Sequence, residues 1–165
     1  MAAERPLDGR VALVAGGSGG IGRALSRRLA AAGAAVAVSH AANAAAAGEV
    51  VREIVSAGQR AVALGADLRR ADALEALVAG EAGLHGLTHY LARRLAPHGV
   101  TVNAIAPALI TDTGMLPADR GDLHRLVPVG RLGRPEEVAD LVLAVITNAH
   151  VTNQVLSVDG GTHPR

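Results

Sequence analysis

A glycine-rich loop stands near the start of the chain, between a short apolar run and a segment with helical periodicity. It reads Gly16-Gly17-Ser18-Gly19-Gly20-Ile21-Gly22, a Gly-x-x-x-Gly-x-Gly spacing. Glycines at a strand-to-helix turn let the backbone approach a pyrophosphate, and the free amides at the start of the helix favour its negative charge. A turn that uses glycine only for close packing is the alternative, but the position after the first apolar run favours nucleotide binding.

Side chains that could transfer protons or hold a metal are few. The chain has no lysine, so its 16 basic residues are all arginine, and Tyr90 is its only tyrosine. Tyr90 and Arg94 are one helical turn apart. Glu81, His85 and His89 recur every four residues and could present three metal ligands on one helix face. Three groups spread over two turns rarely converge on one ion, so we predict a solvated face and no metal site.

Alternating apolar runs and amphipathic segments predict the elements that position the loop. The predicted strands are 10–14, 35–38, 61–64, 100–105 and 155–158, and the predicted helices are 21–32, 43–55, 72–79, 81–96 and 135–146. The long loop 107–134 suggests a site, because connections of that length usually serve one.

Strands that alternate with helices predict an α/β doubly wound parallel sheet in a single domain, residues 1–165. Right-handed crossovers favour the strand order 3-2-1-4-5, with strand four against strand one. Ligands of such sheets bind beyond the carboxyl ends of the strands, beside strand one, where the glycine loop lies.

Composition excludes several classes of protein. A net charge of +1 gives no electrostatic case for nucleic-acid binding, and the absence of cysteine excludes disulfides and thiolate metal sites. The longest apolar run is far too short to span a bilayer. We therefore predict a cytoplasmic protein with neither nucleic acid nor membrane as a partner.

The loop and several later segments resemble the short-chain dehydrogenase/reductase family. The matching residues of the cofactor loop are Gly16, Gly20, Ile21 and Gly22. Ala66-Asp67-Leu68 is similar to the end of the family's third strand, where the aspartate holds the adenine. Segments 84–107, 130–139 and 158–161 are similar to its later helix and strand and to its C-terminal signature. The resemblance spans roughly residues 8–70 and 82–161. It implies a Rossmann-like NAD(P)-dependent oxidoreductase with a small carbonyl or alcohol substrate, and a possible homo-oligomer.

The resemblance also implies the cofactor contacts. Beyond the glycines and Ile21 they are Ser18, His40 at the end of strand two, Asp67 and Leu68 after strand three, and Pro107 and Ile110, which lie in a segment whose backbone meets the nicotinamide amide. No acidic residue occurs between positions 36 and 43, which argues against a strict NAD preference. The usual basic NADP markers are also absent, so NADP is slightly favoured over NAD.

The middle of the family's pattern is missing. A strand bearing Asn-Asn-Ala-Gly, the strand with the catalytic serine and the Tyr-x-x-x-Lys helix have no counterpart between Leu68 and Gly83. We therefore predict an internal deletion near 69–82, about two βα units or roughly 60–80 residues long. Tyr90 matches a family position beyond the catalytic pair. The lysine position falls on Glu81, whose carboxylate would raise the pKa of a neighbouring phenol. No residue is therefore assigned to catalysis.

Three interpretations follow from this conflict between loop and chemistry. The chain is an internally deleted, catalytically inactive gene product with no evolved function beyond its ancestry, a non-catalytic dinucleotide-binding or oligomerising relative, or an oxidoreductase with relocated catalytic groups.

Overall fold

The computed structural model describes residues 5–65, 81–117 and 121–162 of the 165-residue chain. Within those ranges, five strands alternate with four α-helices: β1 (Val11–Val14), α1 (Gly20–Ala31), β2 (Ala35–His40), α2 (Ala44–Ser56), β3 (Ala61–Gly65), α3 (Glu81–Leu95), β4 (Ala104–Pro107), α4 (Pro135–Thr147) and β5 (Val155–Val158). Short 3-10 helices occupy Ala96–His98 and Leu123–Leu126. All strand pairs are parallel, which confirms the predicted α/β class. The predicted helix 72–79 lies outside the described residues.

Local chemistry explains where two of these elements begin. The Asn43 side chain accepts a hydrogen bond from the amide of Ala46 at 3.0 Å, so Asn43 caps α2 and the helix starts one residue later than predicted. β4 starts at Ala104 instead of position 100. The amide of Val102 bonds the Thr152 side chain, and the Asn103 side chain donates to Val151 O at 2.9 Å. Side chains therefore hold this stretch to the 151–154 turn before the ladder begins.

The strands form two sheets instead of one. β1, β2 and β3 pair in register with β2 in the centre, so that Val11 lies beside Ala35 and Val36 beside Ala61. β4 and β5 form a second sheet, with Ala104 beside Val155. The predicted order holds within each sheet, but the predicted pairing of strand four with strand one is wrong.

Helix width accounts for that error. α1 packs on β1, β2 and α4, and α4 in turn packs on β4. Packed helices lie about 8–10 Å apart, whereas neighbouring strands lie about 4.8 Å apart. Two helices lying side by side over β1 and β4 therefore keep these strands further apart than one hydrogen-bonded spacing.

The core lies between the three-stranded sheet and helices α1 and α2. Its larger buried side chains include Val14, Leu29, Val36, Val38, Val50 and Ile54. The register places Val11, Leu13, Val62 and Leu64 on the opposite face of the sheet, where they are 79%, 64%, 55% and 44% exposed. None of the described helices is long and apolar enough to cross a membrane.

Candidate nucleotide site at the carboxyl ends of the strands

The glycine loop leaves β1, crosses the end of β2 and enters α1. Gly16 has a φ of 65°, a left-handed conformation that glycine adopts without a steric penalty. The amide of Gly17 donates to Ser39 O at 3.1 Å, and that of Gly19 donates to Gly16 O at 3.0 Å. These bonds place the loop beside the last residues of β2, the predicted ribose end of the site.

Close approach explains why the other loop positions are glycine. A β-carbon at Gly22 would lie 2.3 Å from Gly16 O, and one at Gly17 would lie 2.6 Å from Val38 Cγ1. A side chain at Gly22 would therefore push α1 away from the loop, and one at Gly17 would push the loop away from Val38 of β2. The result is a cradle of bare backbone at the start of a helix.

The start of α1 offers hydrogen-bond donors to an anion. The first intrahelical bond runs from the amide of Arg23 to Gly19 O at 2.7 Å, so the amides of Gly20, Ile21 and Gly22 precede the helical ladder. The cap residue Gly19 has no side chain to bond them, and the first turn has no acidic residue. Free amides and the positive end of the helix dipole together suit a phosphate.

His40 ends β2 next to this loop and has an unsatisfied buried nitrogen. Its Nδ1 is shielded from solvent and has no hydrogen-bond partner. The ring lies beside Gly65, where a β-carbon would be 3.6 Å from Cε1. A buried polar atom without a partner is costly, and a ligand that bonds it removes that cost. The cradle and this nitrogen both fit the adenosine-pyrophosphate half of a dinucleotide.

The loop after β4 touches the glycine loop directly. A β-carbon on Gly20 would lie 2.0 Å from the backbone oxygen of Asp112 and 3.0 Å from Thr113 Cα. Leu109 and Asp112 have positive φ values of 49° and 57°, an uncommon conformation for residues with side chains. The strained 109–112 stretch thus meets the start of α1, beyond the carboxyl end of β1, where loops of this fold contact ligands.

A cavity of about 340 Å³ opens beside that contact. It lies between the glycine loop, the 109–112 stretch and the first turn of α4, and its lining includes Ser18, Gly20, Arg23, Asp112, Pro135 and Glu136. The Arg23 guanidinium donates to Glu49 at 3.2 Å, so its charge is partly compensated.

An ion pair at the start of α4 holds the 109–112 stretch in place. Arg131 donates two hydrogen bonds to the Glu137 carboxylate, at 2.9 and 2.5 Å, and the amide of Arg134 donates a third at 2.8 Å. The Arg131 bond, followed by the Arg134 amide, lowers the pKa of Glu137 to about 2. Gly133 lies between Arg131 and Arg134 and bonds the 109–112 stretch at two points. Its amide donates to Leu109 O, and its carbonyl accepts from the amide of Thr111.

Not every predicted contact is presented to the site. Pro107 is exposed at the end of β4, and Ile110 packs its side chain into the interior against Gly133, so Ile110 can offer a ligand only its backbone. Asp67 and Leu68 lie outside the described residues. Asp112, Arg131 and Glu137 were not predicted. The sequence signal for this group is the spacing of Arg134 and Glu137, three residues apart at the start of α4, which is typical of a helix whose third residue caps its first amides.

The acid–base candidates on α3, Tyr90 and His89, form their hydrogen bonds with other described residues outside the cradle. Tyr90 is 59% exposed on α3, and its hydroxyl accepts a hydrogen bond from Arg94 at 3.4 Å. His89 donates from Nδ1 to Asn153 Oδ1 at 2.5 Å. Among the described residues there is no cluster of three acidic or histidine side chains able to hold a metal ion.

Two family models match consecutive parts of the chain. A model described as short chain dehydrogenase matches residues 10–82, and one described as enoyl-(acyl carrier protein) reductase matches residues 79–163.

Curated relatives match in two ways. An uncharacterized oxidoreductase of Bacillus subtilis is 40% identical over 85 residues, which is 48% of this chain but only 35% of that protein. The 3-oxoacyl-[acyl-carrier-protein] reductase of Synechocystis is 27% identical over 240 aligned positions, 94% of this chain and 97% of the relative. The stronger local matches thus span about a third of the length of the relatives.

Solved structures match nearly end to end. A dehydrogenase/reductase from Sinorhizobium meliloti has a TM-score of 0.83 at 31% identity, with 96% of each chain covered. A short chain dehydrogenase from Burkholderia cenocepacia, solved in complex with NADP, has a TM-score of 0.82 at 27% identity and covers 95% of this chain and 99% of its own.

Proposed function

The chain belongs to the short-chain dehydrogenase/reductase family of NAD(P)-dependent oxidoreductases, and from that premise we propose that it binds a dinucleotide without catalysing ketone reduction. One observation carries the binding half of the proposal. The bare-backbone cradle Gly16–Gly22 stands at the start of α1, beside the unsatisfied Nδ1 of His40. Its shape and donors suit the pyrophosphate and the adenosine ribose.

NADP(H) is the favoured cofactor. The ribose end of the site holds His40 and the start of α2, whose first turn contains no acidic residue. A carboxylate there would bind the 2′-hydroxyl of NAD and repel a 2′-phosphate. The NADP complex of the Burkholderia relative agrees with this preference.

The catalytic half of the proposal rests on what the chain lacks. The nicotinamide would supply a hydride, but a carbonyl oxygen also needs a proton donor as its negative charge develops. A free phenol has a pKa of about 10 and needs a neighbouring cation to lower it. The chain has no lysine. Tyr90 does have a cation beside it, Arg94 at 3.4 Å, but this pair lies on the exposed face of α3 and does not line the cavity beside the glycine loop.

An internal deletion explains the missing groups. The Synechocystis alignment runs over 240 positions, of which 94% of this 165-residue chain supplies about 155, so about 85 positions have no counterpart here. The two family models meet at residues 79–82, close to the predicted deletion at 69–82.

Calorimetry and a turnover assay test the two halves separately. NADPH should bind the full chain with a Kd in the millimolar range or somewhat below, and NADH more weakly. With a panel of ketones and β-keto esters, consumption of NADPH should stay at the rate without protein. General acid catalysis typically raises a reaction rate by about 10²–10⁴-fold. Orientation of the reactants can lower the activation barrier by about 7–11 kcal/mol. Loss of both contributions would put turnover below detection.

Each outcome has a defined meaning. No heat with either nucleotide refutes binding. Saturable turnover that disappears in Tyr90→Phe would establish a relocated acid, the alternative reading of the chain as a working oxidoreductase. Turnover that survives in Tyr90→Phe would equally refute inactivity and point to another donor.

A further inference from the structure

A buried hydroxyl beneath the glycine loop has no hydrogen-bond partner among the described residues. Ser26 is fully buried in α1, and its Oγ is one of two buried polar side-chain atoms in the described ranges that bond nothing. The other is His40 Nδ1, at the end of β2. Gly17 lies between the two regions, because its amide bonds Ser39 O and its β-carbon position is 3.4 Å from Ser26 Oγ. Both unsatisfied atoms therefore adjoin the cradle.

Hydroxyls on helices commonly bond a carbonyl of the preceding turn, and two in this chain do so. Ser56 Oγ donates to Glu53 O at 2.8 Å in α2. Thr147 Oγ donates to Leu143 O at 2.8 Å in α4. Ser26 makes no such bond with a described residue, although it is buried and the other two are exposed. A buried hydroxyl without a partner costs stability, and alanine at the same position would recover that cost.

The face of α1 that carries Ser26 packs directly under the loop. Side chains on a helix lean toward its amino terminus, so Ser26 extends toward the turn that contains Gly22. A β-carbon at Gly22 would lie 2.7 Å from Gly17 Cα, so helix and loop are in close contact there. The β-carbon position of Gly17 is in turn 3.1 Å from Val14 O and 3.4 Å from Ser26 Oγ. A donor without a partner and a carbonyl, which has two lone pairs, thus approach the same side of Gly17.

A bound pyrophosphate would change the spacing at this contact. Its oxygens accept hydrogen bonds from the first amides of α1 and from the loop that faces them, so the ligand draws helix and loop together. Ser26 Oγ is already at van der Waals distance from the β-carbon position of Gly17. A small closure is therefore enough to bring the hydroxyl within hydrogen-bonding distance of the backbone of the loop.

We propose that Ser26 is a positioning residue of the nucleotide site, whose hydroxyl donates to a carbonyl of the 14–17 turn only when a dinucleotide is bound. This inference rests on the dinucleotide binding proposed above. In the free chain the unbonded hydroxyl lowers stability. In the complex the new bond removes that cost and holds the loop against α1. Part of the affinity for the pyrophosphate therefore comes from a residue that the ligand does not touch.

Ser26→Ala tests this role because it should change stability and affinity in opposite directions. Loss of an unsatisfied hydroxyl should raise the Tm of the free chain by about 2 °C or more. The Kd for NADPH should rise by about fivefold or more, because the parent gains on binding what the free variant has already recovered. Tm is measured by circular dichroism, and Kd by NMR titration of the full chain with NADPH. A residue that only packs in the core would change the Tm and leave the Kd unaltered.

Two variants control for helix propensity and for side-chain volume. Ser56→Ala makes the same change at the carboxyl end of α2, where the hydroxyl is already bonded. Its Tm should stay within about 2 °C of the parent and its Kd should be unchanged. Ser26→Cys keeps a side chain of similar size with a helix propensity close to that of serine, but its thiol is a weak donor. It should therefore weaken NADPH binding as Ser26→Ala does.

The outcomes separate this inference from binding itself. If the parent does not bind NADPH, the proposed dinucleotide site is refuted and this inference with it. If the parent binds and Ser26→Ala binds equally well, only the role of Ser26 is refuted. A Ser26→Ala protein less stable than the parent would mean that the hydroxyl is bonded in the free chain. A Ser26→Cys protein with parental affinity would assign the effect to volume, and either of these last two results overturns the proposal.

Discussion

Substitution of Gly20 by alanine tests the contact that joins the two parallel sheets. The added β-carbon would lie 2.0 Å from Asp112 O and 2.7 Å from Asp112 C, and both atoms belong to backbone. Relief of the overlap requires a shift of about 1 Å or more between α1 and the 109–112 stretch, and overpacking of this kind costs about 1–3 kcal/mol. Alanine in a helix returns up to about 1 kcal/mol relative to glycine, so a cost of about 2 kcal/mol, the middle of that range, leaves a net loss of about 1–2 kcal/mol.

Thermal unfolding followed by circular dichroism measures this loss. A chain of this size loses about 2–4 °C in Tm for each kcal/mol, so we expect Gly20→Ala to unfold about 2–8 °C below the parent. NADPH binding measured by calorimetry should weaken as well, because the displaced helix start carries the amides of the cradle.

Gly48→Ala is the matched control. Gly48 lies inside α2, and a β-carbon there would meet only the Arg52 side chain, at 3.6 Å, an ordinary contact. This substitution should stabilise the chain by about 0.5–1 kcal/mol and leave NADPH binding unchanged. A Gly20→Ala protein as stable as the parent, or stabilised like Gly48→Ala, would refute the close approach of the two loops.

Two further predictions concern charge. His40→Asp should raise the Kd for NADPH relative to that for NADH by about tenfold or more, because a carboxylate repels the 2′-phosphate and accepts from the 2′-hydroxyl. If the ratio of the two Kd values is the same as in the neutral variant His40→Asn, the ribose binds elsewhere. The pKa of Glu137 is lowered to about 2, so its stabilising contribution is fully present above its unfolded pKa of about 4.5 and is lost as pH falls towards 2. Between pH 5 and 2 the Tm of Glu137→Gln should therefore fall less than that of the parent, whereas Glu136→Gln should retain the parental slope; equal slopes in all three proteins would contradict the role of the Arg131 pair.

The local elements and the cradle could be predicted from the sequence because their causes are local. Apolar periodicity predicted each described strand and α-helix to within a few residues, and the Gly-x-x-x-Gly-x-Gly spacing predicted the turn from β1 into α1, but the 3-10 helix Leu123–Leu126 lies in the predicted loop 107–134. The largest error in a boundary is the start of β4. There, bonds to the distant residues Val151 and Thr152 replace the ladder, and no local pattern reports them.

Only the part of the site that depends on local patterns was predicted from the sequence. His40 could be placed at the end of β2 from the strand pattern, but its unsatisfied Nδ1 depends on what packs around the ring. The Arg131–Glu137 pair is local, with six residues of separation, but the 109–112 stretch that it holds meets Gly20, about 90 residues earlier in the chain. Such contacts follow from distances in the folded chain.

The sequence by itself determined that this chain forms parallel α/β units around a glycine-rich turn, and that it contains no lysine, the residue type that the family resemblance assigns to catalysis. Only the tertiary structure decided that the strands separate into two sheets. Strand patterns specify which segments can pair, but the spacing between β1 and β4 depends on α1 and α4, which lie over them side by side. Packed helices are wider than the distance between hydrogen-bonded strands, so β4 does not pair with β1, and no other described strand pairs with that edge of β1.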